Sequence, residues 1–306
     1  MVSAANYAGL VDLEPLLAFA SRALCERRPL NGTWHPGDVI WALKPDYEGR
    51  NDFRLWRSGQ TVEAVMTFVG PNEVWLEALP QNEEMIPEMV AWAESQVKRR
   101  APEGAPPSLS IRGLEGDSRR SETLGLLGYQ TSGADHVWFR RDLGLPLPTA
   151  TAVAGFRAQD AFGVDPVARA RVHRDAWNHL DNIGIENATS SFSTETYLSL
   201  KGCVFYDPSL DILVSTEAGD LVANCICWAD PISLIGLFEP VGTHFGYRGR
   251  GLARMLILEG MARLRDKGMI EARVGTAHFN APAIATYLSC GFELYDRTVW
   301  WTKSLG

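Results

Sequence analysis

The sequence has few cysteines, no long apolar run and no excess of basic residues, and each shortage excludes a class of protein. Five of the 306 residues are cysteine, an odd number without the paired spacing of a zinc site or a disulfide framework. No stretch approaches the roughly 18 to 20 consecutive apolar residues that span a bilayer, and the N-terminus lacks the basic and then apolar layout of a signal peptide. We therefore expect a cytoplasmic protein with no metal and no membrane partner.

The charge balance is acidic, with 29 Lys and Arg residues against 37 Asp and Glu residues and a formal net charge of −8. Non-specific binding of nucleic acid depends on a basic surface, so we exclude nucleic acid as a partner. An acidic surface favours the binding of cationic small molecules. It affects how fast such molecules are captured, and it does not tell which molecule binds. The length, with 46% hydrophobic and 22% charged residues, suits two globular domains with separate cores.

A glycine-rich segment, Arg248-Gly249-Arg250-Gly251-Leu252-Ala253, opens a helical pattern that continues to Leu264. Glycines without Cβ atoms let an anion approach the main chain, and the unpaired N–H groups at a helix start face it. The segment lacks the Gly-Lys-Ser/Thr ending of a P-loop, and Arg254 stands where a dinucleotide fingerprint needs its third glycine. It predicts a diphosphate site of another kind, with a surface turn that caps a helix as the alternative.

The surroundings of this segment favour the anion site. An apolar run over residues 232–243 predicts a strand that leads into the loop. A second predicted strand, residues 272–276, precedes residues 280–291, where Asn280 and Pro282 start a short helix and Gly291 ends it. Strand, loop, helix, strand and helix therefore follow in order.

The stretches VGTHFGYRGRGLA (241–253) and NAPAIATYLSCGF (280–292) resemble the Gcn5-related N-acetyltransferases, the GNAT family. That family carries Arg/Gln-x-x-Gly-x-Gly/Ala at the pyrophosphate of acetyl-coenzyme A, followed by Asn and then Tyr-x-x-x-Gly-Phe. The resemblance covers residues 151–306 and departs from the family pattern at Phe245, where the family often has proline. It implies an α/β (α+β) fold, in which a mixed, mostly antiparallel twisted sheet is flanked by helices.

The resemblance also implies the acyl donor and the residues that bind it. The donor is acetyl-CoA, and the expected binding residues are Val241, Gly242, Thr243, Arg248, Gly249, Arg250, Gly251, Leu252, Ala253, Asn280, Ala283 and Tyr287.

The two halves of the sequence end in similar stretches, which predicts tandem GNAT-like domains at 1–143 and 155–306. A proline-containing linker at 144–154 joins them. The first half offers a helix at 10–27, strands at 53–57, 61–69 and 74–79, and a helix at 85–99. Residues 80–84 stand where the glycine loop should be, and their carboxylates Glu83 and Glu84 would repel a pyrophosphate. Leu124 replaces the tyrosine and Asp117 stands near the place of the asparagine. We interpret the first domain as a degenerate copy without coenzyme.

Acetyl transfer from a thioester to an amine needs a neutral amine, a polarised carbonyl and a proton for the leaving thiolate. The resemblance assigns Tyr287 as the proton donor and a main-chain N–H around Gly242 or Thr243 as the carbonyl donor. Glu239 is the candidate base, because strand parity puts it on one face with Val241 and Thr243. A strand-end salt bridge is the alternative for Glu239, and His244 is a competing base.

The buried-thiol interpretation is preferred for the cysteines, with Cys290 as an alternative nucleophile because it lies beside the motif tyrosine. We expect Cys225 and Cys227 to point the same way from one strand. The walls of the acceptor pocket are expected from the loop at 181–193 and from the helix before it, and no recognisable code in them names the acceptor.

The prediction that results is an N-acetyltransferase that moves an acetyl group from acetyl-CoA to a primary amine of a small molecule, by direct attack in a ternary complex. The protein is expected to act as a monomer or homodimer. Two alternatives stay open: a non-catalytic acyl-CoA binder or sensor, and a protein N-acetyltransferase.

Overall fold

The computed structural model describes residues 2–28, 34–44, 50–102, 106–149 and 152–306. The chain folds into two compact units. The first unit consists of Met1–Val39, Asp46–Val137 and Asp296–Gly306, and the second consists of Ile40–Pro45 and Trp138–Tyr295.

The helices and strands of the N-terminal half follow the predicted order. They are β1 (Val2–Tyr7), α1 (Leu10–Glu26), α2 (Pro36–Leu43), β2 (Arg50–Ser58), β3 (Thr61–Phe68), β4 (Glu73–Ala78), α3 (Ile86–Arg100), β5 (Ser108–Leu114), α4 (Ser118–Leu126) and β6 (Gln130–Asp142). The two helices and three strands predicted for this half are confirmed as α1, α3, β2, β3 and β4.

The C-terminal half forms β7 (Phe156–Asp160), α5 (Pro166–Trp177), α6 (Thr194–Lys201), β8 (Asp211–Thr216), β9 (Leu221–Asp230), β10 (Ile235–Thr243), α7 (Leu252–Asp266), β11 (Glu271–Ala277), α8 (Ala281–Ser289) and β12 (Glu293–Ser304). The strand, glycine loop, helix, strand and helix predicted around the anion site are confirmed as β10, the loop, α7, β11 and α8.

The units do not follow the boundaries expected from the sequence. Both β6 and β12 cross a unit boundary, which lies after Val137 in β6 and before Asp296 in β12. The reason for the second crossing is strand pairing, since β12 runs antiparallel to β5 from Thr298↔Leu114 to Ser304↔Ser108. The predicted linker forms no helix or strand over 144–149, and residues 150 and 151 lie outside the described residues.

In the first unit, β1, β2, β3 and β4 pair antiparallel in sequence order, β4 pairs parallel with β5, and β5 pairs with β12. Helix α3 forms because its apolar residues recur at helical spacing and bury one face. Those residues are Ile86, Met89, Val90, Ala93 and Val97, and they pack in one core cluster with side chains of β3 and β4.

A short 3-10 helix, Pro80–Met85, stands where a glycine loop would follow β4, and its carboxylate belongs to a buried ion cluster. Glu83 accepts a hydrogen bond from Arg27 at 2.7 Å, Arg120 donates to Glu77 at 2.7 Å, and Asp117 accepts from Arg27. The buried carboxylates of this cluster are therefore paired with arginine side chains.

In the second unit, β7, β8, β9 and β10 pair antiparallel in sequence order, and β10 pairs parallel with β11. Helix α7 packs closely on this sheet at Gly260, where an added Cβ would lie 2.5 Å from the Phe238 ring. Each unit therefore holds a mixed, mostly antiparallel sheet with helices packed on it. The fold class predicted from the resemblance is confirmed.

Candidate active site

The loop between β10 and α7 is shaped by two glycines in the left-handed region. Gly249 has φ +74° and Gly251 has φ +82°, a conformation that glycine adopts readily and other residues adopt at a cost. Gly251 is also the N-cap of α7 and makes no side-chain capping bond. The first-turn N–H groups of α7 are thus available to an anion, and the cradle fits a diphosphate.

A cavity of about 640 Å³ opens at this loop, and we call it the loop cavity. Every residue predicted to bind coenzyme lines it except Arg250. The cavity is also lined by Tyr247, Arg254, Pro282 and Thr286, which lie in or next to the two motif stretches, and by five residues far from them: Ala176, Trp177, Leu180, Asn182 and Ile183. Several of them come from α5 and the loop after it, the segments from which we expected walls of the acceptor pocket.

The two loop arginines, Arg248 and Arg250, have different surroundings. Arg248 donates to the Ala176 carbonyl at 2.9 Å and to the Asn182 side chain, so its guanidinium group ties the loop to the C-terminal end of α5. Arg250 lies 5.1 Å from the centroid of the Tyr247 ring, outside the lining of the loop cavity. Main-chain amides, and not Arg250, are therefore the anion ligands that this geometry offers.

Strands β10 and β11 diverge beside the loop cavity. Their parallel ladder runs from Ile235↔Glu271 to Phe238↔Val274, and both strands continue beyond it. His244 N–H donates to Val222 on the β9 side. Because successive N–H groups alternate along a strand, the Gly242 N–H also points toward β9 and the Thr243 N–H points to the opened side. The register thus favours Thr243 over Gly242 as the carbonyl donor.

Tyr287 and Asn280 are positioned by helix α8. Asn280 caps the helix by accepting from Ala283 N–H at 3.3 Å, and it donates to Thr276 at 2.9 Å. Tyr287 is 6% exposed and its ring meets that of Phe139 edge to face at 5.7 Å. Burial raises the pKa of Tyr287, and the negative charge of Glu239 raises it further. The phenol is protonated at neutral pH and can donate its proton.

Glu239 does not share a face with Val241 and Thr243, so the parity prediction was wrong. The pairing of β10 with β9 shifts register between Phe238 and Val241, which breaks the two-residue alternation. Before the shift, Gly236 and Phe238 face α7. After the shift, Gly242 faces α5, and a Cβ atom added to Gly242 would lie 2.1 Å from the Trp177 ring. The carboxylate of Glu239 accordingly lines a different cavity, on the α5 side.

This second cavity, of about 460 Å³, we call the Glu239 cavity. It is lined by Trp41, Lys44, His173, Trp177, Thr189, Ser190, Ser191, Phe192, Thr196, Glu239 and Pro240. Trp177 lines both cavities. The two cavities therefore adjoin at Trp177, and the negative charge of Glu239 contributes to the raised pKa of Tyr287.

Two alternative catalytic residues are less well placed. His244 lines neither cavity; its Nδ1 accepts from Gly246 N–H at 3.0 Å and its ring stacks on Phe245. Cys290 is fully buried, and burial raises the pKa of its thiol, so little reactive thiolate forms. Cys225 and Cys227 are buried with their Sγ atoms 3.9 Å apart, which confirms that they point the same way.

Comparison with known proteins decides the family. Residues 177–292, which contain the glycine loop, Asn280 and Tyr287, match the Acetyltransferase (GNAT) family. This part of the chain belongs to the GNAT family. The family is one of acyltransferases, and the loop cavity lies almost entirely within the matched residues.

Relatives of this GNAT domain are similar over short stretches. A mycothiol acetyltransferase of Thermobifida fusca is 37% identical over 65 residues, which are 21% of this chain and 20% of the relative. A mycothiol acetyltransferase of Segniliparus rotundus is 40% identical over 50 residues, or 16% of this chain and 19% of the relative. The chain thus spans about a fifth of the length of these curated relatives.

Solved GNAT structures share the fold over almost the whole chain. A GCN5-related N-acetyltransferase from Sphaerobacter thermophilus has a TM-score of 0.62 at 18% identity, covering 99% of this chain and 96% of that one. A tandem GNAT protein from the clavulanic acid biosynthesis pathway has a TM-score of 0.64 at 16% identity, covering 100% of this chain and 99% of that one.

Among the described helices of this chain, none is long and apolar enough to cross a membrane.

Proposed function

We propose that the protein is an N-acetyltransferase that moves an acetyl group from acetyl-CoA to a primary amine of a small molecule. The observation that carries the proposal is a pair of cavities that share Trp177 in their linings. One is lined by the glycine loop and Tyr287, the other by Glu239, and both lie in the second unit. A donor and an acceptor bound in them would meet between the phenol and the carboxylate.

The loop cavity holds acetyl-CoA in this proposal, and the thioester supplies an activated acetyl group. The amides of residues 249–253 bind the diphosphate, with the positive end of α7 behind them. The Thr243 N–H donates to the acetyl carbonyl oxygen and stabilises the negative charge that develops there. Support comes from the left-handed Gly249 and Gly251 and from the divergence of β10 and β11.

The Glu239 cavity holds the acceptor. Glu239 takes a proton from the ammonium group, and the free amine attacks the carbonyl carbon, so a C–N bond forms as the C–S bond breaks. Tyr287 gives its proton to the leaving sulfur, and the proton that the acetylated nitrogen then loses returns to Tyr287 through solvent. This division of roles is supported by the buried, protonated phenol and by the carboxylate that lines the acceptor side.

The first unit is, in our proposal, a degenerate copy that binds no coenzyme. Asp117 caps α4 as Asn280 caps α8, and the buried Leu124 stands seven residues after Asp117, as Tyr287 stands after Asn280. The hydroxyl and the glycine loop are missing, and the buried ion cluster of Arg27 takes the place of the loop. Because acetyl-CoA is a cytoplasmic metabolite, we place the reaction in the cytoplasm.

Two measurements test the proposal. Calorimetry with acetyl-CoA should give one site per chain, and a stoichiometry near two would contradict the degenerate copy. Release of free thiol should follow the addition of an acceptor from a library of aminoglycosides, polyamines, amino acids and peptides. Coenzyme binding without thiol release across the library would favour a sensor, and release with peptides alone would favour a protein N-acetyltransferase.

A further inference from the structure

Four aromatic side chains form a continuous wall in the Glu239 cavity. Trp41 stacks on Phe192 with ring centroids 5.5 Å apart and 24° between planes. His173 stacks on Trp177 at 4.2 Å and 15°, and it also contacts Phe192 at 4.2 Å. We call these four residues the aromatic wall. Such a surface packs well against a flat apolar group, because aromatic pairs gain beyond the area that they bury.

The cavity also holds a lysine whose ammonium group has few partners. Lys44 Nζ donates to the Trp41 carbonyl at 2.5 Å and lies 3.3 Å from the centroid of the Trp41 ring. Among the residues that the structure describes, no carboxylate forms an ion pair with it. Burial lowers the pKa of Lys44 to about 7, and the charge of Glu239 raises it only in part. An anion at this place would stabilise the charged ammonium group.

His173 adds no positive charge, because burial and the nearby Arg169 and Lys44 lower its pKa far below neutrality. Among the lining residues that the structure describes, the charged groups are therefore one carboxylate and one ammonium group, beside the neutral aromatic wall. Because Glu239 lines this cavity and is the base in the proposed function, the amine of an acceptor belongs at Glu239. The ammonium group of Lys44 is then left for an acidic group of the same acceptor.

We propose that the acceptor is an amino acid with an aromatic side chain, whose amine lies at Glu239, whose carboxylate pairs with Lys44 and whose side chain packs on the aromatic wall. This inference rests on the proposed function and narrows its substrate class. The transfer joins the amino acid nitrogen to the acetyl carbon, and it leaves the thiol protonated by Tyr287.

Thiol release with three matched acceptors tests the inference: L-phenylalanine, phenylalaninamide and phenethylamine. The wild type should have a higher kcat/KM for phenylalanine than for the two acceptors without a carboxylate. Lys44→Met should lower the ratio of kcat/KM for phenylalanine to that for phenethylamine by about 10- to 100-fold, the range for a lost hydrogen bond to a charged group. Lys44→Arg keeps the charge and should retain most of the ratio.

Lys98→Met is the matched control, because Lys98 is exposed at the end of α3, and it should leave the ratio at the wild-type value. Thermal unfolding of each variant establishes that it is folded. Equal kcat/KM for all three acceptors, or an unchanged ratio in folded Lys44→Met, would overturn the amino acid inference while the acetyltransferase stands. No thiol release with any amine would overturn both.

Discussion

The contact of Gly242 with Trp177 leads to a sharp prediction for a single added methyl group. A Cβ on Gly242 would lie 2.1 Å from Trp177 Cζ3, 2.7 Å from Cη2 and 2.8 Å from the Cβ of Ala176. No real Cβ keeps such distances, so Gly242→Ala must move the indole or the end of α5. Since Trp177 lines both cavities, the displacement affects donor and acceptor binding together.

The magnitude follows from the cost of overpacking a closely packed site, about 1 to 3 kcal/mol. For a domain of about 150 to 250 residues, each kcal/mol shifts Tm by roughly 2 to 4 °C. Gly242→Ala should therefore lower Tm by about 2 to 12 °C in a circular dichroism melt. Calorimetry should also show weaker binding of acetyl-CoA than in the wild type.

Two further variants separate this clash from a general effect of replacing glycine. Gly125→Ala in α4 places a Cβ where no heavy atom lies within 4 Å, and it should stabilise the fold by about 0.5 to 1 kcal/mol because alanine favours a helix. Trp177→Leu removes the ring atoms that clash, so Gly242→Ala should cost much less in that background. A wild-type Tm for Gly242→Ala alone would refute the contact.

Four other substitutions test the remaining parts of the site and of its fold. Gly251→Glu should abolish acetyl-CoA binding in calorimetry, since it puts a side chain and a negative charge at the diphosphate; unchanged affinity in the folded variant would leave the loop as a simple helix start. Tyr287→Phe should lower kcat by about 10² to 10⁴ across the pH range with little change in coenzyme affinity, and a wild-type rate would mean that solvent protonates the thiolate. Glu239→Gln should lose activity at neutral pH and recover part of it at high pH, where the free amine forms unaided; a uniform loss would contradict its role as the base. Arg169→Met should destabilise the fold by about 3 to 5 kcal/mol in urea unfolding, because it leaves the fully buried Asp211 carboxylate without the Arg169 Nε bonds of 2.9 and 3.1 Å. Asp211 also accepts hydrogen bonds from the hydroxyls of Tyr197 and Tyr206, and a loss below about 1 kcal/mol would show that these two bonds suffice.

Most residues that line the loop cavity at the glycine loop and at α8 could be predicted, because their signals are local in sequence. Glycine at 249 and 251, Asn280 before a helix and Tyr287 within it each act through the backbone or helix in which they stand. Such patterns can be recognised in the sequence without knowledge of the tertiary structure. The strands and helices around them have strong apolar periodicity, and only their ends differ from the prediction, as for β10, which begins at Ile235 and not at 232.

The lining of the Glu239 cavity could not be predicted, because its residues are brought together by tertiary packing. Trp41 lies in α2, a short helix with no motif, and Lys44 comes directly after it, so both are far in sequence from Glu239. The face of Glu239 depends on a register shift between Phe238 and Val241, and such a shift leaves no periodic signal in the strand. Lys44 also differs from a surface lysine only through its burial, which sequence alone does not give.

The pairing of β12 with β5 sets an order of events during synthesis of the chain. The sheet of the first unit needs residues 298–304 to cover β5, yet these residues are translated after all of the second unit. Until they leave the ribosome, β5 presents an open edge that invites wrong pairing with other chains. A gene fragment that stops at residue 143 therefore encodes the sheet of the first unit without the strand that pairs with β5.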